Sequence, residues 1–221
     1  MIVKQVGILK NIALFSCLDD TALDALTRVA VKKTFPSHTI LLSEGDETDS
    51  LYVICSGKVK VGIGDEHGKE VILTMFGPGE YFGEMAFLDG KPRSASVVTR
   101  EPTEVLIISR NDFRDILISN PDAVLNMLKA LLDRLREANE KIESLALVDV
   151  YGRIARLFVQ LAKPKGQKLV IGEKLTHQEI ANMIGSSREM VSRILKDLVT
   201  GGYITVERKM ITINRELPHS W

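Results

Sequence analysis

The hydrophobic positions of this chain follow three successive periods, and each period predicts a different kind of element. Leu14, Phe15, Leu18, Leu23, Leu26 and Val29 recur at helical spacing, which predicts short helices over 8–31 with Asp19 or Asp20 as an N-cap. From His38 to Ser109 the apolar residues come in short alternating runs. These predict strands over 39–42, 51–55, 58–63, 70–76, 94–99 and 104–108. Glu44-Gly45-Asp46, Ser56-Gly57, His67-Gly68 and Gly77-Pro78-Gly79 separate them as turns. Many short strands broken by glycine turns make a small antiparallel barrel or roll.

The third period opens at Asn120-Pro121, with Asn120 as N-cap and the proline at the first helical position. No glycine or proline occurs after it before Gly152, so one helix reaches about residue 147, roughly 40 Å at 1.5 Å per residue. Along it Val124, Leu128, Leu131, Leu135, Ala138, Ile142 and Leu145 repeat at alternating intervals of four and three. A helix packed on its own roll could carry that stripe. With charged residues on most other faces, a parallel coiled coil between two copies fits better, and a homodimer through helix 120–147 is expected.

Residues 148–152 read as a hinge, followed by a helix through 162 and a loop over 163–168. Thr176 and Glu179 form a capping box ahead of Ile180, Ala181, Met183 and Ile184. Gly185-Ser186-Ser187 breaks that helix, and Ser186 or Ser187 caps the next, over 188–199. Gly201-Gly202 ends it, and 204–206 with 211–213 make a hairpin. Helix, glycine turn, helix and hairpin is the layout of a winged helix-turn-helix. Its second helix divides by face. Met190, Val191, Ile194, Leu195 and Leu198 form the buried stripe; Arg188, Glu189, Ser192, Arg193 and Lys196 form the opposite one.

Charge changes this picture in one respect. The 221 residues are 45% hydrophobic and 26% charged with zero net charge, as in a soluble globular protein. The zero conceals an asymmetry. Residues 1–149 hold 17 Lys and Arg against 23 Asp and Glu, a balance of −6, whereas residues 150–221 hold 12 against 6, a balance of +6. The C-terminal third is therefore the part suited to a polyanion. Arginine can pair with guanine O6 and N7 and glutamate can accept from cytosine N4, so the Arg188, Glu189, Arg193 face suits base reading. The alternative is an ordinary solvated face with an Arg–Glu pair. Cys17 and Cys55 sit in no metal-ligand spacing. No apolar run reaches membrane-spanning length and the start lacks the order of a secretory signal, so a cytoplasmic protein without a membrane partner is expected.

The strongest chemical signal is the run 82–97, FGEMAFLDGKPRSASV. An arginine fork such as Arg93 grips anionic oxygens in a bidentate way. Gly83, Ser94 and Ala95 let backbone N–H groups and a hydroxyl crowd round the same oxygens. Glu84 can accept from a ribose hydroxyl. Arg93, placed on a loop between the fourth and fifth predicted strands, is expected to contribute little to the core. A surface ion pair is the alternative for a lone Glu and Arg, but not for the whole run.

That run resembles, almost letter for letter, the phosphate-binding cassette of cyclic-nucleotide-binding domains, F-G-E-[LIM]-A-L-L-x-G-x-P-R-[AS]-A. The stretch from Gly185 to Lys196, GSSREMVSRILK, resembles the recognition helix of the cyclic-AMP receptor protein family of bacterial transcription regulators, the Crp/Fnr superfamily. The resemblance covers nearly the whole chain. It implies an α+β fold with a cyclic-nucleotide-binding β-roll over 1–119, a long dimerisation helix and hinge over 120–148, and a winged helix-turn-helix domain over 149–221. It implies that Gly83, Glu84, Arg93, Ser94 and Ala95 hold the ribose and cyclic phosphate, with Arg134 reaching in from the long helix. Ala138 and Asn139 stand where the family's Thr-Ser pair meets the adenine, so cyclic AMP is the favoured ligand and base selectivity is open. Arg188, Glu189 and Arg193 are implied to read bases in palindromic TGTGA-like sites of double-stranded DNA, with Thr176, Ser187 and Lys196 at the backbone. His177 replaces an arginine of the family pattern. RNA polymerase is an implied partner, although loop 163–174 is shorter than the family's and its polymerase-contacting surface is not carried over.

Two classes of function fit these features. The first is a ligand-gated transcription regulator, gated by cyclic AMP or by another ligand such as cyclic di-GMP, or by none. The second is a nucleotide-binding module that controls a protein partner. No nucleophile–base pair or metal cluster is readable, so an enzyme is not expected.

Overall fold

The computed structural model describes residues 9–10, 12–166, 168–207 and 210–217; positions 8 and 11 of the predicted N-terminal helices and 167 of the predicted loop lie outside them. The chain divides into two compact units, Met1–Leu135 and Arg136–Trp221. Among the described residues no helix is long and apolar enough to cross a membrane.

The first unit begins with a 3-10 turn, Ala13–Phe15, and helix α1, Asp20–Val29. Asp19 caps α1 by accepting from Ala22 N, a short polar side chain satisfying a donor the helix leaves orphaned. Next come strands β1 (Val31–Phe35), β2 (Ile40–Leu42), β3 (Leu51–Ser56), β4 (Val59–Gly64), β5 (Glu70–Phe76), β6 (Tyr81–Phe82), β7 (Ser96–Thr99) and β8 (Thr103–Ile108). They form two antiparallel sheets in the orders β1-β8-β3-β6 and β2-β7-β4-β5. Two of these strands are not predicted by the sequence pattern. In β1, Val31-Lys-Lys-Thr-Phe35, all but the last residue are exposed. It has no apolar alternation to read, and is held by its register with β8 from Val31↔Ile107 to Phe35↔Thr103. The pair Tyr81–Phe82 is too short for any periodicity and joins β3.

Helix α2 (Glu84–Asp89) interrupts the expected cassette loop, and α3 (Arg110–Ser119) is a helix the sequence pattern does not predict. Both pack through aromatic residues. Phe113 of α3 meets Phe15 edge-on at 5.6 Å and Phe87 of α2 at 5.2 Å between ring centroids. Around them lie Leu23 and Leu26 of α1, Leu51 and Val53 of β3, Leu106 and Ile108 of β8, and Ala123 and Met127 of helix α4, Pro121–Leu147. A second cluster, with Leu42, Ile54, Val59, Phe76, Phe82, Val97 and Val105, fills the roll between its sheets. Asn120 precedes α4 as expected, but its side chain does not cap that helix. Its Nδ2 donates to Ile116 O at 2.9 Å, so it closes α3 instead.

The second unit holds α5 (Val150–Leu161), β9 (Lys163–Lys165), β10 (Lys168–Ile171), α6 (His177–Ile184), α7 (Arg188–Thr200), β11 (Ile204–Glu207) and β12 (Met210–Ile213). Asp149 caps α5. In place of the predicted loop after α5 there is a hairpin, β9–β10, which extends the C-terminal hairpin into one sheet of order β11-β12-β10-β9. Pro164 favours a loop in the sequence; it is accommodated because β9 is an edge strand. Phe158 and Ile154 of α5, Ile180 and Ala181 of α6, and Val191, Ile194, Leu195 and Leu198 of α7 are buried. Met190, expected in that stripe, is only half-buried. Arg193 Nη2 lies 2.8 Å from its sulfur.

Candidate nucleotide and nucleic-acid sites

The cassette is built at the end of β6. Phe82 stacks on Tyr52 at 5.0 Å and leads into Gly83, whose φ of 87° is left-handed. A Cβ there would stand 2.7 Å from Arg93 Nη1 and 2.9 Å from Ser50 O, so position 83 requires glycine on two counts. Glu84 opens α2, and Gly90 ends it in the left-handed region. The chain then returns to β7 clamped on the β2–β3 turn. Arg93 N donates to Asp46 O at 2.9 Å, and Gly45 N donates to Arg93 O at 2.8 Å.

Glu84 and Arg93 are 5% and 3% exposed. Burying two such charges is costly unless each is met by partners. Arg93 Nη1 donates to Gly83 O at 2.7 Å, Nη2 to Ser50 O at 2.8 Å and Nε to Thr48 Oγ1 at 2.9 Å. Three of the guanidinium's five N–H groups are thereby used, and the expectation that this arginine matters little to the fold is overturned. Burial pulls the Arg93 pKa down, against the opposing pull of Tyr52, Asp49, Glu84 and Asp46. Glu84 Oε1 is met by Arg134 Nη1 at 2.5 Å. Arg134 Nη2 donates to Tyr81 O at 2.6 Å, and the guanidinium lies 4.6 Å from the Phe76 ring centroid and 4.7 Å from that of Tyr81. Burial, the larger effect, raises the Tyr81 pKa, and its hydroxyl has no hydrogen-bond partner among the described residues.

Of the residues expected to hold a nucleotide, the first unit thus brings Gly83, Glu84, Arg93 and Arg134 together. Ala95 is buried and Ser94 is exposed, with its hydroxyl 3.4 Å from Met85 Sδ. Ala138 and Asn139 lie on α4 in the second unit, both exposed. Thr48, Ser50, Phe76 and Tyr81 hold the two arginines of this cluster, and sequence reasoning misses them. The first two serve Arg93 from a polar loop whose reach no local pattern announces; the rings serve Arg134 across the roll.

In the second unit Thr176 caps α6 with a complete capping box. Its Oγ1 accepts from Glu179 N at 3.1 Å, and its N and Oγ1 both donate to Glu179 Oε2, at 2.8 and 3.0 Å. Gly185 ends α6 at φ 62°, and Ser187 caps α7 by accepting from Met190 N at 3.2 Å. A Cβ on Gly185 would meet Leu145 Cδ2 at 2.9 Å, so the last apolar residue of the α4 stripe lies against the helix-turn-helix turn. Arg188, Glu189, Arg193 and Lys196 are all exposed on one side of α7. Among the described residues no group of His, Cys, Asp and Glu could hold a metal ion.

Two family models match the chain: a cyclic nucleotide-binding domain over residues 32–120 and a Crp-like helix-turn-helix domain over residues 152–216. The chain belongs to the Crp/Fnr family of transcription regulators. This Crp/Fnr regulator is 34% identical over 211 residues to the CRP-like cAMP-activated global transcriptional regulator of Mycobacterium tuberculosis, covering 94% of each chain. It is 38% identical over 187 residues to the cAMP-activated global transcriptional regulator CRP of Escherichia coli, covering 81% of this chain and 87% of the other. Among solved structures it is similar to the c-di-GMP responsive regulator CLP of Xanthomonas campestris, with 26% identity, a TM-score of 0.78, and 88% of this chain and 99% of that one covered. Its relatives are regulators, not enzymes.

Proposed function

We propose that this Crp/Fnr regulator is gated by cyclic AMP bound at Glu84 and Arg93 and, as a homodimer through α4, acts on palindromic TGTGA-like DNA together with RNA polymerase. The carrying observation is the pair of nearly fully buried opposite charges in an apolar roll, each with binding capacity left. Glu84 meets Arg134 through Oε1, and its Oε2 can accept from a ribose hydroxyl. Arg93 keeps two N–H groups for a phosphate oxygen, beside the Gly83 turn, the Ser94 hydroxyl and the Ala95 amide. Arg134 joins the ribose carboxylate to α4, so ligand binding biases the helix that runs to the DNA-binding unit. Ala138 and Asn139 are assigned to the purine, Arg188, Glu189 and Arg193 to base edges, and Ser187 and Lys196 to the DNA backbone, with Thr176 acting there only as the cap that holds the start of α6.

A second ligand, cyclic di-GMP, is favoured by the CLP likeness and by Ala138-Asn139, which offers one hydrogen-bonding side chain where the family pattern has two. Calorimetry with cyclic AMP, cyclic GMP and cyclic di-GMP decides between them. The first should bind tightest and should raise affinity for a TGTGA palindrome. Cyclic di-GMP binding alone, or DNA binding indifferent to every nucleotide, would remove the cyclic-AMP reading.

A further inference from the structure

His177, the first residue of α6, is exposed, and its Nδ1 stands 2.7 Å from Ser192 Oγ on α7. This bond joins the two helices of the helix-turn-helix on the side where α7 is exposed. Ser192 is four residues from Arg188 and from Lys196 and three from Glu189, so it lies within the polar stripe. In a helix-turn-helix the second helix enters the major groove and the first crosses the phosphate backbone. A ring at the first turn of the first helix, tied to the centre of the second, therefore stands where groove and backbone meet. The α6 N-terminus also favours an anion there.

We propose that His177 is a DNA phosphate contact, oriented by Ser192, and that it makes DNA binding by this protein proton-linked. The inference rests on the DNA-binding reading of the second unit. Imidazole gains or loses its charge within about pH 5–8. Facing a phosphate, the doubly protonated ring donates Nδ1–H to Ser192 Oγ and Nε2–H to a phosphate oxygen. Without DNA the Nδ1–Ser192 bond can form with either neutral tautomer, the hydroxyl donating or accepting. DNA thus favours the protonated ring, and affinity is high at the acid end of the range and falls as the pH rises. The surrounding charges do not reproduce that behaviour. The charged side chains exposed on this side of α7 are Arg188, Glu189, Arg193 and Lys196, residue types that ordinarily change charge outside this range. On α6, Glu179 is engaged with Thr176. Arg153 of α5 approaches Gly185, at the opposite end of α6.

The test is fluorescence-anisotropy titration of the full chain with a mixed-sequence duplex and with a TGTGA palindrome, with and without cyclic AMP, from about pH 6 to pH 8 at fixed salt. Wild type should lose about two- to fivefold in affinity per bound chain across that range, the span of an exposed ion pair. His177→Gln should bind equally at both ends and, at the acid end, show a log–log salt slope smaller by about one per chain. His177→Arg should bind tightly without pH dependence. Ser192→Ala should keep the pH trend with a reduced amplitude. A wild-type affinity independent of pH, or a trend surviving in His177→Gln, overturns the contact while leaving DNA binding intact. Failure of wild type to bind either duplex under any condition removes both.

Discussion

Arg93 supplies hydrogen bonds to Gly83 O, Ser50 O and Thr48 Oγ1 in the absence of any ligand, so its removal has two consequences. Arg93→Ala should abolish nucleotide binding and, unlike a surface arginine, should destabilise the unliganded protein by about 2–4 kcal/mol, because carbonyls are left buried without donors. Urea unfolding without nucleotide checks this; a stability equal to wild type would mean the arginine is not seated there. The sequence announces a phosphate-binding arginine but not this structural role, since Thr48 and Ser50 lie more than forty positions away. A second residue-scale outcome concerns Cys55, whose thiol is pushed up to about 11, first by burial and then by Glu104. At pH 8 it should react with a disulfide reagent about a hundredfold more slowly than an ordinary thiol, while the exposed Cys17 reacts first. The raised value also fixes the sign of its effect on stability. The unfolded thiol ionises first as pH rises, so the contribution is complete below about pH 9 and is lost between about pH 9 and 11.

At the scale of elements, legibility tracks periodicity. Strand β5 and helices α4 and α7 are readable to within a residue because their apolar positions repeat over several turns or pleats. Strands β1, β6 and β9 are not, because one is an exposed strand without alternation, one has two residues and one carries a proline at a sheet edge. Asn120 shows a subtler limit. Asn-Pro before a helix reads as a cap for that helix, yet the amide turns back to Ile116, a choice made by geometry rather than residue type. Capping also constrains the DNA-site assignments. The Thr176 hydroxyl already donates to Glu179, so its side chain has no further proton to offer a phosphate. Thr176→Ala should therefore lower the thermal stability of the second unit, by about 1 kcal/mol, while leaving the DNA affinity of the folded protein unchanged. A loss of DNA affinity at unchanged stability would show that Thr176 serves the DNA instead.

At the scale of the whole molecule, the apolar stripe of α4 remains to be covered. Leu128, Leu135 and Ile142 are 51%, 56% and 64% exposed, whereas Ala123 and Met127 on the same helix are buried in the core of the first unit. The helix therefore packs one face at its start and leaves a second face open along its length, which is what a seam between two copies requires. Leu145, the last residue of the stripe, lies against the Gly185 turn within its own chain yet stays 43% exposed, so it too is free to join the seam. Replacing Leu135 and Ile142 together by lysine should give a monomer in sedimentation at micromolar concentration. Both positions are exposed in the single chain, so each unit should stay folded, and nucleotide binding through Glu84 and Arg93 should persist. DNA binding should respond far more strongly. Two linked helix-turn-helix units face the second half-site at an effective concentration of about millimolar, which multiplies affinity by about 10²–10⁴. The monomer forfeits that factor on the palindrome but should bind an isolated half-site as one wild-type chain does. A double variant that still sediments as a dimer, or a wild type that sediments as a monomer, would move the interface away from α4.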